Sequence, residues 1–394
     1  MPAPDYFRIK ANTLKNRNTM DNNITILVLG GYGGTGRLFC QYLLEQTAVN
    51  IVVAGRNLRK ANDLCEHLKQ AHDPQRVFAR YADASDTESL RQAFRGIHLM
   101  IVAATTTRWA RQIAETALLS GVDYLDIYFQ QDVYPELEKL SRQIEQAGRC
   151  FITQAGFHPG LPAVFIRHGA NYFDEYERAI IAFAMNVKIE KPESVYELID
   201  LIADYKADIY KDGKWRLATY RDTISIDFGQ LFGIRNCMPM DMIETRIMPE
   251  WFGLKETGVF TTGFNWFVDY VLFPVMMVTQ MIKKGSLRHF WAQALIRGLN
   301  RFSNSTEGIV FLLEAEGMKR GKRRKVTIRS EHASAYDFTV IPVVACIKQY
   351  LEGSIRKPVG LWMMGHLVCT DRLLKDMGQM GVKFQIYKNG QRLC

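Results

Sequence analysis

The sequence predicts an α/β protein in two parts, a doubly wound parallel sheet followed by a second α+β domain. Two observations support this prediction. Short apolar runs alternate with helical stretches up to residue 153, which is the pattern of βαβ units in a parallel sheet. Beyond residue 160 the alternation stops and hairpin signals appear, which indicates a largely antiparallel or mixed sheet.

The first part begins with a continuous apolar run at residues 24–30, which suits a strand buried on both faces of a parallel sheet. Apolar side chains then recur at helical spacing up to Leu43, and residues 50–54 form the next strand. The remaining predicted elements are helix 57–71, strand 76–81, helix 86–95, strand 98–104, helix 108–120, strand 122–127, helix 133–147 and strand 150–153.

The second part is predicted from less regular signals. Asp212-Gly213 is a hairpin turn pair, and residues 308–330 read as two strands joined by the basic turn 319–325. The other predicted elements are strand 179–188, an amphipathic helix at 192–204, a helix at 337–351 and the apolar run 360–366.

These elements define the expected domains. Residues 1–22 are polar and basic and are expected to be a mobile tail, or to precede a true start at Met20. Residues 23–155 form the first domain, and residues 156–336 form a substrate or dimerisation domain. Residues 337–394 are expected to return to the first domain.

Composition limits the class of protein. With 394 residues, 47% hydrophobic and 23% charged, the chain is that of a globular protein with two or three domains. Its net charge of +9 favours anionic ligands, lipids or nucleic acid without choosing among them. The seven dispersed cysteines predict reduced thiols in the cytoplasm and no metal site.

The strongest motif is the glycine loop Gly31-Tyr32-Gly33-Gly34-Thr35-Gly36, between a predicted strand and a predicted helix. In this context Gly31 permits the tight turn, Gly33 lets the backbone approach a pyrophosphate, and Gly36 lets helix and strand pack closely. The amides that begin the helix, those of Gly34 and Thr35 among them, can bind phosphate. The first domain is therefore predicted to be a Rossmann dinucleotide-binding domain.

The second strand indicates which dinucleotide binds. It ends in Val53-Ala54-Gly55-Arg56, where NAD enzymes carry an acidic residue. The Arg56 guanidinium can bind a 2′-phosphate, so NADP(H) is the predicted cofactor. Asp83, after the third strand, either bonds the adenine or caps helix 86–95. Ala104 and Thr105 end the fourth strand and are expected to border the nicotinamide.

Three residues at the ends of the fifth and sixth strands are candidates for the chemistry. Tyr124 and Asp126 share one face of the fifth strand because side chains alternate along a strand. His158 lies in a loop with Pro and Gly just past the sixth strand, and histidine titrates near neutrality. For each of the three, a purely structural role is the alternative. His366 is expected to be structural.

These residues resemble those of saccharopine dehydrogenase-like proteins with an NADP-binding domain. The similarity runs from Ile26 to Asn57, through Ala155-Gly-Phe-His-Pro-Gly-Leu161, to Gly360-Leu-Trp-Met-Met-Gly-His-Leu-Val368. It implies a Rossmann domain interrupted by an inserted α/β domain. It also implies that the protein binds NADP(H) and transfers a hydride to or from a carbon atom. That carbon often belongs to an imine or a secondary amine of an amino-acid adduct.

The resemblance carries over Gly31, Gly33, Gly36 and Arg56, but no catalytic residue. Many members read Tyr-x-Asp followed by Gly-Glu, whereas this chain reads Tyr124-Leu-Asp126-Ile-Tyr-Phe-Gln130. We therefore expect an NADP(H)-dependent oxidoreductase acting on an imine, amine or carbonyl group of a small molecule. The alternative is a non-catalytic NADP(H)-binding sensor or a peripheral membrane scaffold.

Two further segments bear on partners. The basic turn 319–325 is not accompanied by a recognised nucleic-acid-binding fold, so nucleic acid is not an expected partner. Two interpretations of this turn remain: a hairpin exposed to solvent, or a segment that contacts anionic lipid. Residues 263–282 are apolar and aromatic, with Asp269 and Pro274 inside and Lys283 and Lys284 after them. They fit a buried core, a homodimer interface or an interfacial membrane anchor. A membrane span is the least favourable alternative, because it would place Asp269 inside the bilayer.

Overall fold

The computed structural model describes residues 24–186, 195–196, 199, 205–265, 267–283, 286–302, 307–355 and 359–393. The predicted tail 1–22 and most of the predicted helix 192–204 lie outside these ranges. The chain forms two compact units. The first contains residues up to 164 with 242–244 and 336–381, and the second contains 165–241, 245–335 and 382–394.

The first unit is built on a parallel sheet whose strands all pair in parallel among the described residues. Its strands are β1 (Thr25–Leu29), β2 (Asn50–Gly55), β3 (Val77–Tyr81), β4 (Leu99–Val102), β5 (Asp123–Asp126), β6 (Cys150–Thr153) and β15 (Gly360–Met363). The spatial order is β15-β6-β5-β4-β1-β2-β3. The predicted Rossmann sheet is thus confirmed, and the C-terminal run 360–363 adds its outermost strand.

Strand order reverses between β1 and β4, because β1 pairs with β2 on one side and with β4 on the other. In such sheets the ligand crevice lies beyond the carboxyl ends of the strands at this reversal. The four central strands are buried on both faces, as their continuous apolar runs predict. The crevice is therefore expected just after Leu29 and Val102.

Helices cover this sheet and follow the predicted rhythm. They are α1 (Gly34–Gln46), α2 (Leu58–Lys69), α3 (Thr87–Ala93), α4 (Ala110–Leu119), α5 (Val133–Glu138), α6 (Ser141–Gln146), α12 (Ala335–Glu352), α13 (Met364–Leu367) and α14 (Thr370–Gln379). The predicted helix 133–147 is two helices, separated by a turn in which the amide of Leu140 donates to the carbonyl of Leu137 at 2.9 Å. Helix α7 (Leu161–Gly169) carries the chain onward into the second unit.

The second unit contains a mixed sheet, as predicted. Its described strands are β7 (Glu175–Asn186), β8 (Asp208–Lys211), β9 (Lys214–Leu217), β10 (Ile224–Asp227), β11 (Ile234–Met240), β12 (Glu256–Thr262), β13 (Gly308–Lys319), β14 (Lys322–His332), β16 (Lys383–Lys388) and β17 (Gln391–Arg392). Only β7 and β12 pair in parallel among them. Residues 382–394 lie in this unit rather than in the first, because β16 pairs with β14.

Both predicted hairpins form, but the second turn is Arg320-Gly321 rather than residues 319–325, because Lys319 ends β13 and residues 322–325 begin β14. Asp212-Gly213 and Arg320-Gly321 have positive φ angles at both turn residues, as the twist of a two-residue hairpin requires. The basic side chains around the second turn pair with acids of the neighbouring strands: Lys319 with Asp174, Arg323 with Glu177 and Glu316, and Lys325 with Glu314. This pairing favours the solvated-hairpin interpretation of residues 319–325.

The second unit also contains the helices α8 (Gly229–Phe232), α9 (Met248–Phe252), α10 (Phe273–Ile282) and α11 (Arg288–Phe302). A π-helical turn at Val268–Leu272 leads into α10, so the apolar segment found in the sequence is helical. Within the described residues, no helix has the length and apolar character needed to cross a membrane.

Candidate functional site

The glycine loop follows β1 and leads directly into α1. Gly33 is the N-cap residue of α1, with φ −73° and ψ 174°, and no side chain caps this helix. The amide of Gly33 donates to the carbonyl oxygen of Gly30 at 2.8 Å and closes the turn. The first-turn amides, including those of Gly34 and Thr35, therefore lie at the positive end of the helix dipole without a side-chain acceptor, which is how phosphates are bound.

The space around the loop fits a pyrophosphate. A Cβ atom at Gly36 would lie 2.1 Å from the carbonyl oxygen of Gly30, so only glycine lets α1 begin this close to the turn. A Cβ atom at Gly33 would lie 3.1 Å from the same oxygen, and one at Gly34 would meet nothing within 4 Å. The loop is packed tightly at Gly36 and open at Gly34, as a phosphate cradle requires.

The end of β2 places Arg56 at the surface beside this loop. Tyr32 connects the glycine loop to the end of β2. Its ring lies against Gly55, and its hydroxyl accepts a hydrogen bond from the amide of Asn57 at 3.0 Å. The Asn57 side chain in turn accepts the amide of Lys60 and caps α2. Tyr32 was missed from the sequence because the second position of the glycine motif accepts any residue.

Arg56 should set the preference for NADPH. Because its guanidinium can bind the 2′-phosphate in a charge-assisted contact, we expect NADPH to bind at least about tenfold tighter than NADH, a difference of about 1.4 kcal/mol. Arg56→Ala should remove most of this difference, and Arg91→Ala, at an exposed position of α3, should not. Fluorescence titration of each protein with NADPH and with NADH measures the two affinities. Equal affinities for the two cofactors in the unmodified protein would contradict the assignment.

Asp83 does not cap helix α3, so that alternative was wrong. Asp86 is the N-cap residue, and its side chain accepts the amides of Glu88 and Ser89. Asp83 instead accepts the amide and hydroxyl of Ser85, and these hydrogen bonds, with a smaller contribution from Arg56, lower the pKa of its carboxyl group. An adenine contact by Asp83 stays a prediction.

The carboxyl end of β4 adjoins the glycine loop. A Cβ atom at Gly30 would lie 2.7 Å from the Cβ atom of Ala104, and the amide of Ala103 donates to the carbonyl of Leu29 at 2.9 Å. Thr105 follows at an exposed position. The small side chains at the end of β4 thus lie where the sheet reverses, and their contact with the nicotinamide stays a prediction.

Asp126 and Tyr124 are both fully buried on β5. Burial raises the pKa of Asp126 to about 6. Its carboxylate accepts the amide of Tyr128 at 3.2 Å, and its backbone carbonyl accepts the amide of Ala155 at 3.2 Å. Tyr124 stacks on Phe151 with ring centroids 5.1 Å apart, and burial raises its pKa well above 10.0. Asp126 therefore joins β5 to the start of the loop after β6.

His158 lies in that loop between two aromatic rings. Its ring centroid is 3.7 Å from that of Phe157 and 5.3 Å from that of Phe129. Burial lowers the pKa of His158 to about 3, so its imidazole is neutral at physiological pH. The residue is partly exposed, but its Nδ1 atom is buried, so a small molecule can reach only the remainder of the ring.

Glu244 is a buried acid of the same loop region that the sequence did not reveal. Its Oε1 atom accepts the amide of Gly160 at 2.7 Å, and the amide of Ala163 also donates to this carboxyl group. Burial raises the pKa of Glu244 to about 8. His366 bonds the backbone carbonyl of Glu244 at 2.7 Å through Nε2, which is the expected structural role of that histidine. Glu244 therefore fixes the end of the loop.

The raised pKa of Glu244 predicts a pH dependence of stability. The unfolded chain loses this proton near 4.5, whereas the folded protein keeps it up to about 8. Between these values the folded state binds more protons, so the free energy of unfolding should fall as pH rises, by up to about 1.4 kcal/mol per pH unit. Asp126 acts in the same direction only up to a pKa of about 6.

Glu244→Gln should flatten this dependence between pH 6 and pH 8, the window above the pKa of Asp126 and below that of Glu244. Denaturant unfolding across this pH range measures the slope. Glu250→Gln, at an exposed position of α9, should leave the slope unchanged and serves as the control. An unaltered slope in Glu244→Gln would show that the carboxyl group is ionised in the folded protein at neutral pH.

The segment after β5 reads Ile127-Tyr128-Phe129-Gln130. Gln130 accepts a hydrogen bond from the Thr107 hydroxyl at 3.1 Å, and the hydroxyls of Tyr128 and Thr106 lie 2.7 Å apart. These contacts join the loop after β4 to the loop after β5. In the first unit, the glycine loop and the hydrogen-bonded loops after β4 and β5 thus lie at the same edge of the sheet.

Comparison with known proteins agrees with this geometry. Residues 26–152 match the family model described as saccharopine dehydrogenase NADP binding domain. Carboxynorspermidine synthase from Vibrio cholerae is 23% identical over an alignment 422 positions long, which covers 92% of this chain and 97% of the relative. The protein of the same name from Vibrio alginolyticus is 22% identical, covering 90% of this chain and 95% of the relative.

A solved structure is also similar. Apo saccharopine dehydrogenase (L-Glu forming) from Saccharomyces cerevisiae superposes with a TM-score of 0.66 at 13% identity, covering 93% of this chain and 99% of that one. At this identity the likeness shows the fold alone. The predicted fold class and the predicted NADP-binding domain are both confirmed by these findings.

Proposed function

We propose that this saccharopine dehydrogenase-like chain, an NADP(H)-dependent oxidoreductase, transfers a hydride to or from the carbon of an imine or amine substrate. The observation that carries the proposal is the placement of the glycine loop and of loop 154–160 at the carboxyl ends of strands of one parallel sheet. A cofactor bound along the first loop has its reactive end near the crevice bordered by the second.

The titratable groups of the site favour an imine over a carbonyl substrate. NADPH, when bound, supplies a hydride, and a carbonyl oxygen must then also receive a proton from a positioned acid, whereas a protonated imine needs none. His158 is neutral at physiological pH because burial lowers its pKa to about 3. The carboxyl groups of Asp126 and Glu244 are fully enclosed. These groups are poor proton donors to a carbonyl substrate.

The residues then divide into contact and positioning roles. His158, partly exposed beside the rings of Phe157 and Phe129, contacts the substrate through the part of its neutral imidazole that is not buried, because its Nδ1 atom is enclosed. Asp126 is a positioning residue, since its carboxylate accepts the amide of Tyr128 and its backbone carbonyl accepts the amide of Ala155 at the start of the loop. Tyr124, on the same strand, stacks on Phe151, and Glu244 holds the amide of Gly160 at the other end of the loop.

A non-catalytic NADP(H)-binding sensor is the second candidate. The observation that favours it is the complete burial of Tyr124 and Asp126, two of the three residues expected to act in catalysis. Cofactor binding cannot separate the candidates because both bind NADPH. Turnover can separate them.

The test is NADPH oxidation with pairs of a primary amine and an α-keto acid or aldehyde, which form imines in solution. We expect oxidation only when both partners of a pair are present. Each carbonyl compound alone is the matched control, and equal rates with it would identify a carbonyl reductase instead. NADPH binding without oxidation by any pair would favour the sensor.

A further inference from the structure

Helix α10 of the second unit buries one side and exposes the other. Val268, Leu272 and Met276 pack against Trp291 and Leu295 of α11 in a common hydrophobic cluster. This packing accounts for only part of the apolar segment identified in the sequence. The remaining apolar side chains of α10 lie on its outer side.

The outer side of α10 forms an apolar stripe. Val275, Val278 and Ile282 of α10 follow one another at intervals of three and four residues, which places them on one helix face, and Val271 of the preceding π-helical turn is also exposed. Val275 is 52% exposed, Val278 57% and Ile282 81%. Single exposed apolar residues are ordinary, but a contiguous stripe of them marks an interaction surface.

Basic residues adjoin this stripe. Residues 270–306 contain Lys283, Lys284, Arg288, Arg297 and Arg301 and no Asp or Glu. Lys283 and Arg288 are exposed at the facing ends of α10 and α11, next to the exposed side chains of Leu287 and Phe290. Apolar and aromatic side chains beside lysine and arginine are the combination that binds anionic lipid surfaces.

We propose that the outer face of α10, with Lys283, Leu287, Arg288 and Phe290, binds the surface of an anionic lipid bilayer. The apolar stripe enters the boundary between headgroups and acyl chains, and the basic side chains contact phosphate and carboxylate headgroups. A second copy of this chain is a poorer occupant, because symmetric pairing would bring like-charged segments together without an acidic complement in either segment.

Cosedimentation of the full chain with vesicles tests this proposal, using phosphatidylcholine alone and an equimolar mixture with phosphatidylserine. We expect binding to the mixed vesicles that weakens in high salt, and at least about tenfold weaker binding to phosphatidylcholine alone. The triple variant Val275→Ser, Val278→Ser, Ile282→Ser should lose about tenfold in affinity for mixed vesicles. Lys283→Ala with Arg288→Ala should reduce both the affinity and its salt dependence.

Two control variants match these changes elsewhere. Leu119→Ser removes a side chain that is 75% exposed on α4, and Lys214→Ala removes an exposed lysine of β9. Both should bind mixed vesicles like the unmodified protein. An unchanged circular dichroism spectrum and an unchanged thermal unfolding profile show that every variant is folded. No binding to mixed vesicles at low salt, or unchanged binding by the triple variant, would overturn the proposal. A lipid-free dimer that the triple variant dissociates would assign this face to a second copy instead.

Discussion

Gly33→Val should abolish NADPH binding while the protein remains folded. Gly33 has an extended backbone that valine readily adopts, and its added Cβ atom would lie 3.1 Å from the Gly30 carbonyl, a contact that a small shift relieves. The two methyl groups would then occupy the open side of the loop where the pyrophosphate is expected. We expect at least about a hundredfold loss of affinity, or about 2.8 kcal/mol.

Isothermal titration with NADPH measures this loss, and circular dichroism with thermal unfolding checks the fold. Gln41→Val is the matched control because it adds a β-branched side chain to an exposed position of the same helix α1. It should titrate like the unmodified protein. If Gly33→Val also titrates normally, the glycine loop is not the phosphate site.

His158→Asn should lower turnover by about 10²-fold, the size of effect expected when a substrate is misplaced in the site, while NADPH affinity stays nearly unchanged. Asparagine keeps a polar side chain in the loop but removes the imidazole that we place against the substrate. Because burial lowers the pKa of His158 to about 3, the pH profile of kcat/KM should show no ionisation of a histidine near neutrality. A histidine acting as an ordinary general acid would produce one.

Steady-state kinetics with the best amine and carbonyl pair, at several pH values, measure both effects. His67→Asn, at an exposed position of α2, is the control and should retain full turnover. Turnover of His158→Asn within about threefold of the unmodified enzyme would make His158 structural. Tyr124→Phe and Asp126→Asn would then be the variants to examine, with the split between KM and kcat separating positioning from contact.

What the sequence predicted well was local. The glycine loop, the strand before it and the helix after it lie within one short segment, so spacing alone indicates both the fold and the phosphate site. Arg56 could be chosen as a candidate because the second strand has a fixed place in this motif, and its contact with the cofactor stays a prediction. The hairpin turn at Asp212-Gly213 was equally predictable, since both residue types tolerate positive φ, whereas Arg320 does not and its turn was predicted only as the longer segment 319–325.

What the sequence did not predict depends on distant contacts. Glu244 is 84 residues from Gly160, whose amide it accepts, and no motif connects the two. Asp83 was a reasonable cap by spacing, but Asp86 lies closer to the helix start and takes that role. Composition identified the apolar segment 263–282 but could not show that α10 buries one face and exposes another, because that depends on where α11 packs.

The most direct test of the central claim is transfer of deuterium from NADPH labelled at C4 of the nicotinamide to a product of amine and carbonyl. The account predicts a secondary amine that carries the label on the former imine carbon, detected by mass spectrometry. Gly33→Val should form no labelled product, and Gln41→Val should form as much as the unmodified protein. NADPH binding without label transfer to any pair, or label appearing only in an alcohol, would contradict the account.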